Sequence, residues 1–597
     1  MTGTGRTPVL DVAVRGLLDR IDADLGTALP VGWRQGGSVL AVARSLLGTG
    51  VAGPAVADAF EAAAGEALPT DPGLAARLYA ACVTAGRPVP AVATRWARAA
   101  ALAGDLDAAL RLADQVVASD AAADRAEGAR VAAAALAHRG QLAHSAELYR
   151  WSGSAALATV GLIGTGRLAE VPPMVVPTAQ PPTLLTGAES LLAQGVQESV
   201  TGRATSALAA LVRAADLLQP AGRTALLPDS PAALAALVAL HAGEWAVAES
   251  VLNRAVSAGV GGALMATRHR LLLAWTALVR GETTLGGAEG SRIGFAGAAG
   301  SRVGLAREVC AELGERPLEP RDWLFRVALE LGLARRDGDL GALRGTWSSA
   351  CEAVLRHPVD LFTLLPLGEF AICAARLGDH DRMAPHLADA YALLDRLDTP
   401  ALWAAPLRWS ALHAAIIADR PAVAREHADA LAVAANSSGG YGRALATAAE
   451  CWLAILAGTV EPVSVERAAR GLYDAGLRWD GSRLAAQAAA RTADRKAMVA
   501  LLDCARTLRG RGAGRRPVPG DVPAATDAAD LSERERQVAA LVVAGLTYKQ
   551  IGSRLFISPK TIEHHVARMR RRLGCENRAD LLARLRYLVA GVPAGRA

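Results

Sequence analysis

The chain is short of lysine, of aromatic side chains and of paired cysteines. Among 597 residues only Lys496, Lys549 and Lys560 are lysine. A phosphate-binding loop needs glycine-rich backbone amides around the phosphates and a Lys followed by Ser or Thr. Lys560 precedes Thr561 without a glycine loop before it, and the glycine-rich stretches around Gly36-Gly37 and from Gly286 to Gly300 hold no lysine. This argues against an ATPase of that type, and the protein is expected neither to bind nor to hydrolyse ATP. Aromatics make up 4% of the chain while alanine is abundant, a composition that favours closely packed helices over sheets. The seven cysteines (Cys82, Cys310, Cys351, Cys373, Cys451, Cys504 and Cys575) are scattered without a C-x-x-C pair. Neither a disulfide framework nor structural zinc is expected, and a reducing cytoplasm fits.

Long apolar runs are missing as well. The most apolar windows are broken by charge or proline, as where Arg268-His269-Arg270 precedes Leu271 to Val279, so no membrane span is expected. No cationic start leads into an apolar run, so no secretory leader is expected. The eleven histidines are mostly isolated, and the adjacent rings of His564 and His565 point to different sides of a helix. No metal site, no cofactor and no nucleophile-base pair emerges, and the protein is expected not to be an enzyme.

What is present is concentrated at one end. From Leu531 onward there are 13 Lys and Arg against 5 Asp and Glu, a net of +8 in a chain whose total is +6, so the preceding 530 residues sum to −2. The same segment is punctuated by helix caps. Ser532 with Glu535 is a capping box, and Gly545 can take the left-handed conformation just past a helix end. Thr547 with Gln550 is a second box, opening a short helix through Ile551 to Leu555. Ser558 and Pro559 then supply an N-cap and a proline at the first helical position, starting a helix that ends at Gly574. Asn577 with Asp580 opens a fourth helix through Leu581, Leu582, Leu585 and Leu588.

Two short helices joined by about three residues, the second one cationic, make a helix-turn-helix. At about 100° per residue, Ile562, Val566, Met569 and Leu573 fall on one stripe. Lys560, His564, Ala567, Arg568 and Arg571 lie opposite, flanked by Thr561 and Glu563. That face is expected to enter the major groove of double-stranded DNA. Cations and Thr hydroxyls suit phosphate oxygens, whereas Glu563 can accept from cytosine N4, His564 can pair with a base edge, and Ala567 permits close approach.

Leu531-Ser532-Glu533-Arg534-Glu535, Gly545-Leu546-Thr547-Tyr548-Lys549-Gln550-Ile551, Ile557-Ser558-Pro559-Lys560-Thr561-Ile562-Glu563-His564-His565, Arg572-Leu573-Gly574-Cys575 and Asn577-Arg578 together resemble the LuxR-type DNA-binding domain. Gly552, Cys575 and Ala567 depart from its usual residues. The resemblance implies that Glu563, His564 and Ala567 face base edges and that Lys549, Thr561 and Arg571 lie near the DNA backbone. Thr547, Lys560 and Arg568 complete the candidate contact set.

Between about residues 70 and 504 the chain repeats weakly. Turns of the Gly-Asp kind occur at Gly104-Asp105, Gly140-Gln141, Gly166-Arg167, Gly202-Arg203, Gly243-Glu244, Gly281-Glu282, Gly338-Asp339, Gly378-Asp379, Asp419-Arg420, Gly458-Thr459 and Asp494-Arg495. Most intervals lie near 36 to 41 residues; the step of 57 from Gly281 to Gly338 contains the 17 glycine-rich residues Gly286 to Arg302, an expected loop insertion. Helix pairs at this period signal an all-α solenoid. The stretch Gly104-Asp105-Leu106-Asp107-Ala108-Ala109-Leu110 resembles the turn of tetratricopeptide repeats. Pro172-Pro173 through Pro181-Pro182 marks an irregular crossing between repeats. Trp323, Trp347, Trp403, Trp409 and Trp452 either pack between these helices or line a ligand groove. The expected organisation is a helical cap over 1–70, repeats over 71–504, an Arg/Pro/Gly linker over 505–530 and the helix-turn-helix domain over 531–597.

Two functions fit. One is a cytoplasmic, nucleoid-associated transcription regulator that acts as a homodimer on DNA. Its repeats would sense a protein, peptide or small molecule, with RNA polymerase as a further candidate partner. The other is a solenoid scaffold whose tail binds DNA nonspecifically or is vestigial.

Overall fold

Alanine occupies much of the buried interior, and a methyl-sized side chain lets helix axes approach closely without losing helix propensity. A computed structural model of the chain describes residues 16, 19–23, 39–119, 122–172, 183–220, 222–280, 302–314, 316–435, 439–509, 533–555, 558–573, 575, 581–582 and 584–585. Among the described residues there is no strand, and short 3-10 turns supplement the α-helices. The chain forms two compact units, one of residues 1–238 with 247–272, the other of residues 239–246 with 273–597.

In the first unit, Val39–Leu46 and Pro54–Ala67 precede the first Gly-Asp turn. Val89–Ala103 and Leu106–Val117 meet at that turn, where one dipeptide performs two tasks. Gly104, at φ 89°, closes the first helix. The Asp105 side chain accepts the Ala108 N–H at 3.0 Å and caps the second helix. Gly338-Asp339 repeats the device in the second unit, with Gly338 at φ 77° and Asp339 accepting the Ala342 N–H at 3.0 Å. Of the other turns, those at Gly140, Gly243, Gly378 and Gly458 likewise put a left-handed glycine at a helix end, and at Asp419 an aspartate takes the same conformation. Helices pack on their neighbours and, in several places, on the helix after next, as Ala401–Ile417 does with Pro421–Ala434 and Gly439–Leu456. This is a tandem array of helical hairpins.

Two glycines show how tight the packing is. A Cβ on Gly161 would stand 2.6 Å from the Leu142 carbonyl oxygen, and one on Gly481 would stand 2.5 Å from the Ala469 carbonyl oxygen. Both glycines are buried on helices that lie against the preceding helix, so backbone meets backbone there.

Buried ion pairs link successive hairpins. Within the first unit Arg268 meets Asp229 at 3.0 Å, and His269 Nε2 lies 2.6 Å from Ser230 Oγ. In the second, Arg321 meets Asp360 at 2.9 Å, and Asp360 also accepts the Phe362 N–H at 2.9 Å. Each pair is 39 residues apart, one repeat of sequence. Arg335 and Glu369 form a third, two-point pair.

The last repeat helix, Arg495–Leu508, is capped by Asp494 and buries Cys504, Ala505 and Leu508, so the helix continues four residues into the stretch read as linker. The Gly281-Glu282 turn, the glycine-rich insertion through Ser301, the proline-rich 173–182 and the linker from 510 to 530 lie outside the described residues. Among the described residues no helix is long and apolar enough to cross a membrane, and no group of His, Cys, Asp and Glu is arranged to hold a metal ion.

Candidate nucleic-acid interface

Three of the helix ends read in the charged C-terminal segment are formed as expected. Glu533–Val543 ends in a Schellman arrangement: Gly545, at φ 82°, donates its N–H to Val542 O at 3.1 Å, and Leu546 donates to Leu541 O at 3.2 Å. At Tyr548–Leu555 the reciprocal box is formed, with Thr547 N–H donating to Gln550 Oε1 at 2.9 Å and Gln550 N–H donating to Thr547 Oγ1 at 3.3 Å. Pro559–Arg572 follows, its first turn capped by Ser558 Oγ, which accepts the Thr561 N–H at 3.0 Å. Ser532, Gly574, Asn577, Asp580 and Leu588 lie outside the described residues; of the fourth helix, residues 581–582 and 584–585 are helical.

One small core holds these helices together. Val538, Leu541 and Val542 of the first helix, Ile551 and Leu555 of the second, and Ile562, Val566 and Met569 of the third are buried in it with Leu581 and Leu585. Burying Ile562, Val566 and Met569 fixes the rotation of the third helix about its axis, so the opposite face has to be outside. Lys560, Thr561, Glu563, His564, Ala567 and Arg568 are all exposed, as are Thr547 and Lys549 on the approach to it. Arg571 is within the helix, and its side chain lies outside the described residues.

Three details were not foreseen. Glu535, expected as the reaching partner of a cap, is buried, and its Oε1 lies 3.5 Å from Nε of Arg568, whose side chain is 70% exposed. The base of that arginine is thereby held from below while its far end stays in solvent. The only sequence signal was an acidic residue in the first turn, which reads equally well as a cap. The Thr561 hydroxyl is already engaged with Ser558 Oγ at 2.7 Å. The Thr547 hydroxyl donates to Gln550 Oε1 at 2.9 Å. Because phosphate oxygens only accept, Thr547 must release that bond to reach one.

Comparison with known proteins agrees with this geometry. The family model for bacterial regulatory proteins of the luxR family matches residues 529–585. The spore germination protein GerE of Bacillus subtilis is 40% identical over 55 residues, which are 9% of this chain and 74% of GerE. The chain belongs to the luxR family. Proteins named as HTH-type transcriptional regulators in Mycobacterium tuberculosis and Mycobacterium bovis are 38% identical over 74 residues, 12% of this chain. The chain matches 8% of the length of those mycobacterial relatives. Among solved structures, yeast Tom70 aligns with 76% of this chain and 96% of its own at 12% identity, with a TM-score of 0.24. The luxR-family match is thus confined to the helix-turn-helix segment.

Proposed function

We propose that this luxR-family protein is a sequence-specific DNA-binding transcription regulator, with the helical repeats as its sensing or partner-binding module. The observation that carries the reading is the two-sided third helix, in which Ile562, Val566 and Met569 are buried while Lys560, Glu563, His564, Ala567 and Arg568 are exposed together. Such a face has the two chemistries that reading a groove requires, cations for phosphates and an acid, an imidazole and a small side chain for base edges. Lys549 on the second helix and Thr547, which caps it, with Lys560, Thr561 and Arg571 on the third, are assigned to the DNA backbone.

One helix-turn-helix spans only a half-site, so the protein is expected to act as a homodimer on a two-fold related operator. RNA polymerase is a natural second contact for a protein bound beside a promoter. Selection from a random-sequence DNA pool with the full-length protein tests the reading: a recurring motif with two related half-sites is expected. A retained pool with no enriched motif would instead favour the scaffold function.

A further inference from the structure

The second unit contains a cavity whose chemistry the DNA-binding reading does not use. Its volume is about 80 Å³, several times the ~10–15 Å³ that one water needs, so it has room for a small organic molecule. Part of the lining is aromatic: Trp245, Trp275, Trp409 and Tyr441 border it. These walls are fixed. Trp245 donates its indole N–H to Ala475 O at 2.8 Å and packs edge-on to Tyr441 at 5.9 Å, and Trp275 packs edge-on to Phe325 at 5.7 Å.

The lining is also charged. Arg335, Arg336 and Arg483 border the same space together with Glu369 and Asp480, three cations with two carboxylates. Arg335 and Glu369 satisfy each other through their two-point pair, which leaves Arg336 and Arg483 against Asp480. Burial, followed by repulsion from Arg335, pushes the Arg336 guanidinium down to about 10, and burial, followed by Arg376, pushes that of Arg483 down to about 9, so both are charged at neutral pH. Burial raises the Asp480 carboxyl against the pull of Arg336, which makes the surplus at least one positive charge. An excess cation inside a protein is unfavourable unless something compensates it.

Donors are also left over at this place. His413 borders the cavity at 1% exposure, with its ring edge-on to Trp409 and Trp452, and neither ring nitrogen has a hydrogen-bond partner among the described residues. The same holds for Nε and Nη1 of Arg336. The guanidinium of Arg336 lies over the Trp479 ring at 5.5 Å. A guanidinium face packed on an indole keeps its in-plane N–H groups for an acceptor, and a carboxylate accepts charge-assisted hydrogen bonds from such groups.

We propose that this cavity binds a small organic monocarboxylate with an apolar or aromatic body, and, resting on the regulator reading above, that this anion is the molecule the repeats sense. The carboxylate answers the surplus guanidinium charge and the unused donors, and the body lies against the tryptophans. A free phosphate has the charge without the body, and a neutral aromatic has the body without the charge.

The test uses the full-length protein without DNA, with benzoate, phenylacetate and isovalerate as probes, followed by tryptophan fluorescence and calorimetry. At least one should bind saturably at sub-millimolar concentration, and its neutral amide, benzylammonium and inorganic phosphate should each bind weaker by roughly tenfold or more. Arg336→Gln should weaken the best probe by a similar factor, and Leu365→Trp, at a residue that also borders the cavity, should fill it and abolish binding. Circular dichroism confirms that each variant is folded, and Arg336, half-buried, is the variant least exposed to folding failure. No saturable response from any of the three probes, or equal binding of acid and amide, would overturn the site. Probe binding that leaves DNA affinity unchanged would overturn its link to regulation, because an effector must bind two states unequally. The DNA selection described above is run without the probe carboxylates, so its outcome judges the regulator reading separately.

Discussion

At the scale of single residues, the exposed face of the third helix divides into groups that read and groups that hold. His564 and Glu563 present hydrogen-bonding edges at adjacent exposed positions. Replacing either by alanine should relax preference at one base position by about 1–3 kcal/mol. Lys549→Ala should lower affinity for every sequence alike and shallow the salt dependence, because it removes one phosphate contact and its counterion release. Competition binding against single-base operator variants at two salt concentrations separates these outcomes, and a uniform loss for His564→Ala would remove it from base reading. Most of this face was legible because hydrophobic spacing alone fixes which side of a short helix is buried. The Glu535–Arg568 contact was not, since it joins two helices that only the folded core brings together.

At the scale of elements, the turns were legible and the pairs between them were not. A Gly-Asp dipeptide announces itself because glycine supplies the left-handed exit of one helix and aspartate the cap of the next, as Gly338 and Asp339 do. Arg321 and Asp360 announce nothing: each looks like an ordinary charge that belongs in water, and only the fold reveals that both are almost fully buried and joined. The same opacity hid the cavity charges Arg335, Arg336 and Arg483, while the tryptophans divide, Trp403 and Trp452 being fully buried and Trp409 bordering the cavity. Arg321→Met should destabilise its hairpin by about 3–5 kcal/mol, because it takes the guanidinium away from the buried Asp360 carboxylate. Replacing both partners by apolar residues of similar size should cost less, provided that the Phe362 cap lost with Asp360 is not decisive. Urea unfolding of the two variants decides it, and equal losses would mean that the pair does not couple the hairpins.

For the whole molecule, buried imidazoles set an acid limit. Burial holds His269 down to about 4, only partly opposed by Asp229, and burial with the nearby Arg408 holds His427 down to about 4. Burial, then Arg483, keeps His413 well below its ordinary value. Each is neutral when folded and takes up a proton on unfolding below about pH 6.5, so the unfolded chain binds more protons between about 6.5 and 4 and stability falls with pH across that window. Glu369 acts further down: burial would raise its carboxyl, but Arg335 outweighs this and lowers it, so its contribution is present above the ordinary carboxylate range and is lost as pH falls through the folded value. The thermal midpoint should therefore be lower at pH 5 than at pH 7.5, by differential scanning calorimetry. A flat profile would mean that these rings are hydrated in solution.

The 39-residue spacing of the Arg268–Asp229 and Arg321–Asp360 pairs has a mechanical side. A hairpin of some 40 residues, pulled straight, spans about 13–14 nm at ~3.3–3.6 Å per residue. An array whose hairpins touched only through alanine methyls would yield to tension one hairpin at a time, like beads leaving a thread. A buried charge pair that bridges two hairpins cannot be half broken without stranding an ion in the interior, so the hairpins on either side of each pair are yoked and give way together. The chain under load is thus a row of springs of unequal stiffness, with rigid couplings where arginine meets aspartate and compliant joints elsewhere.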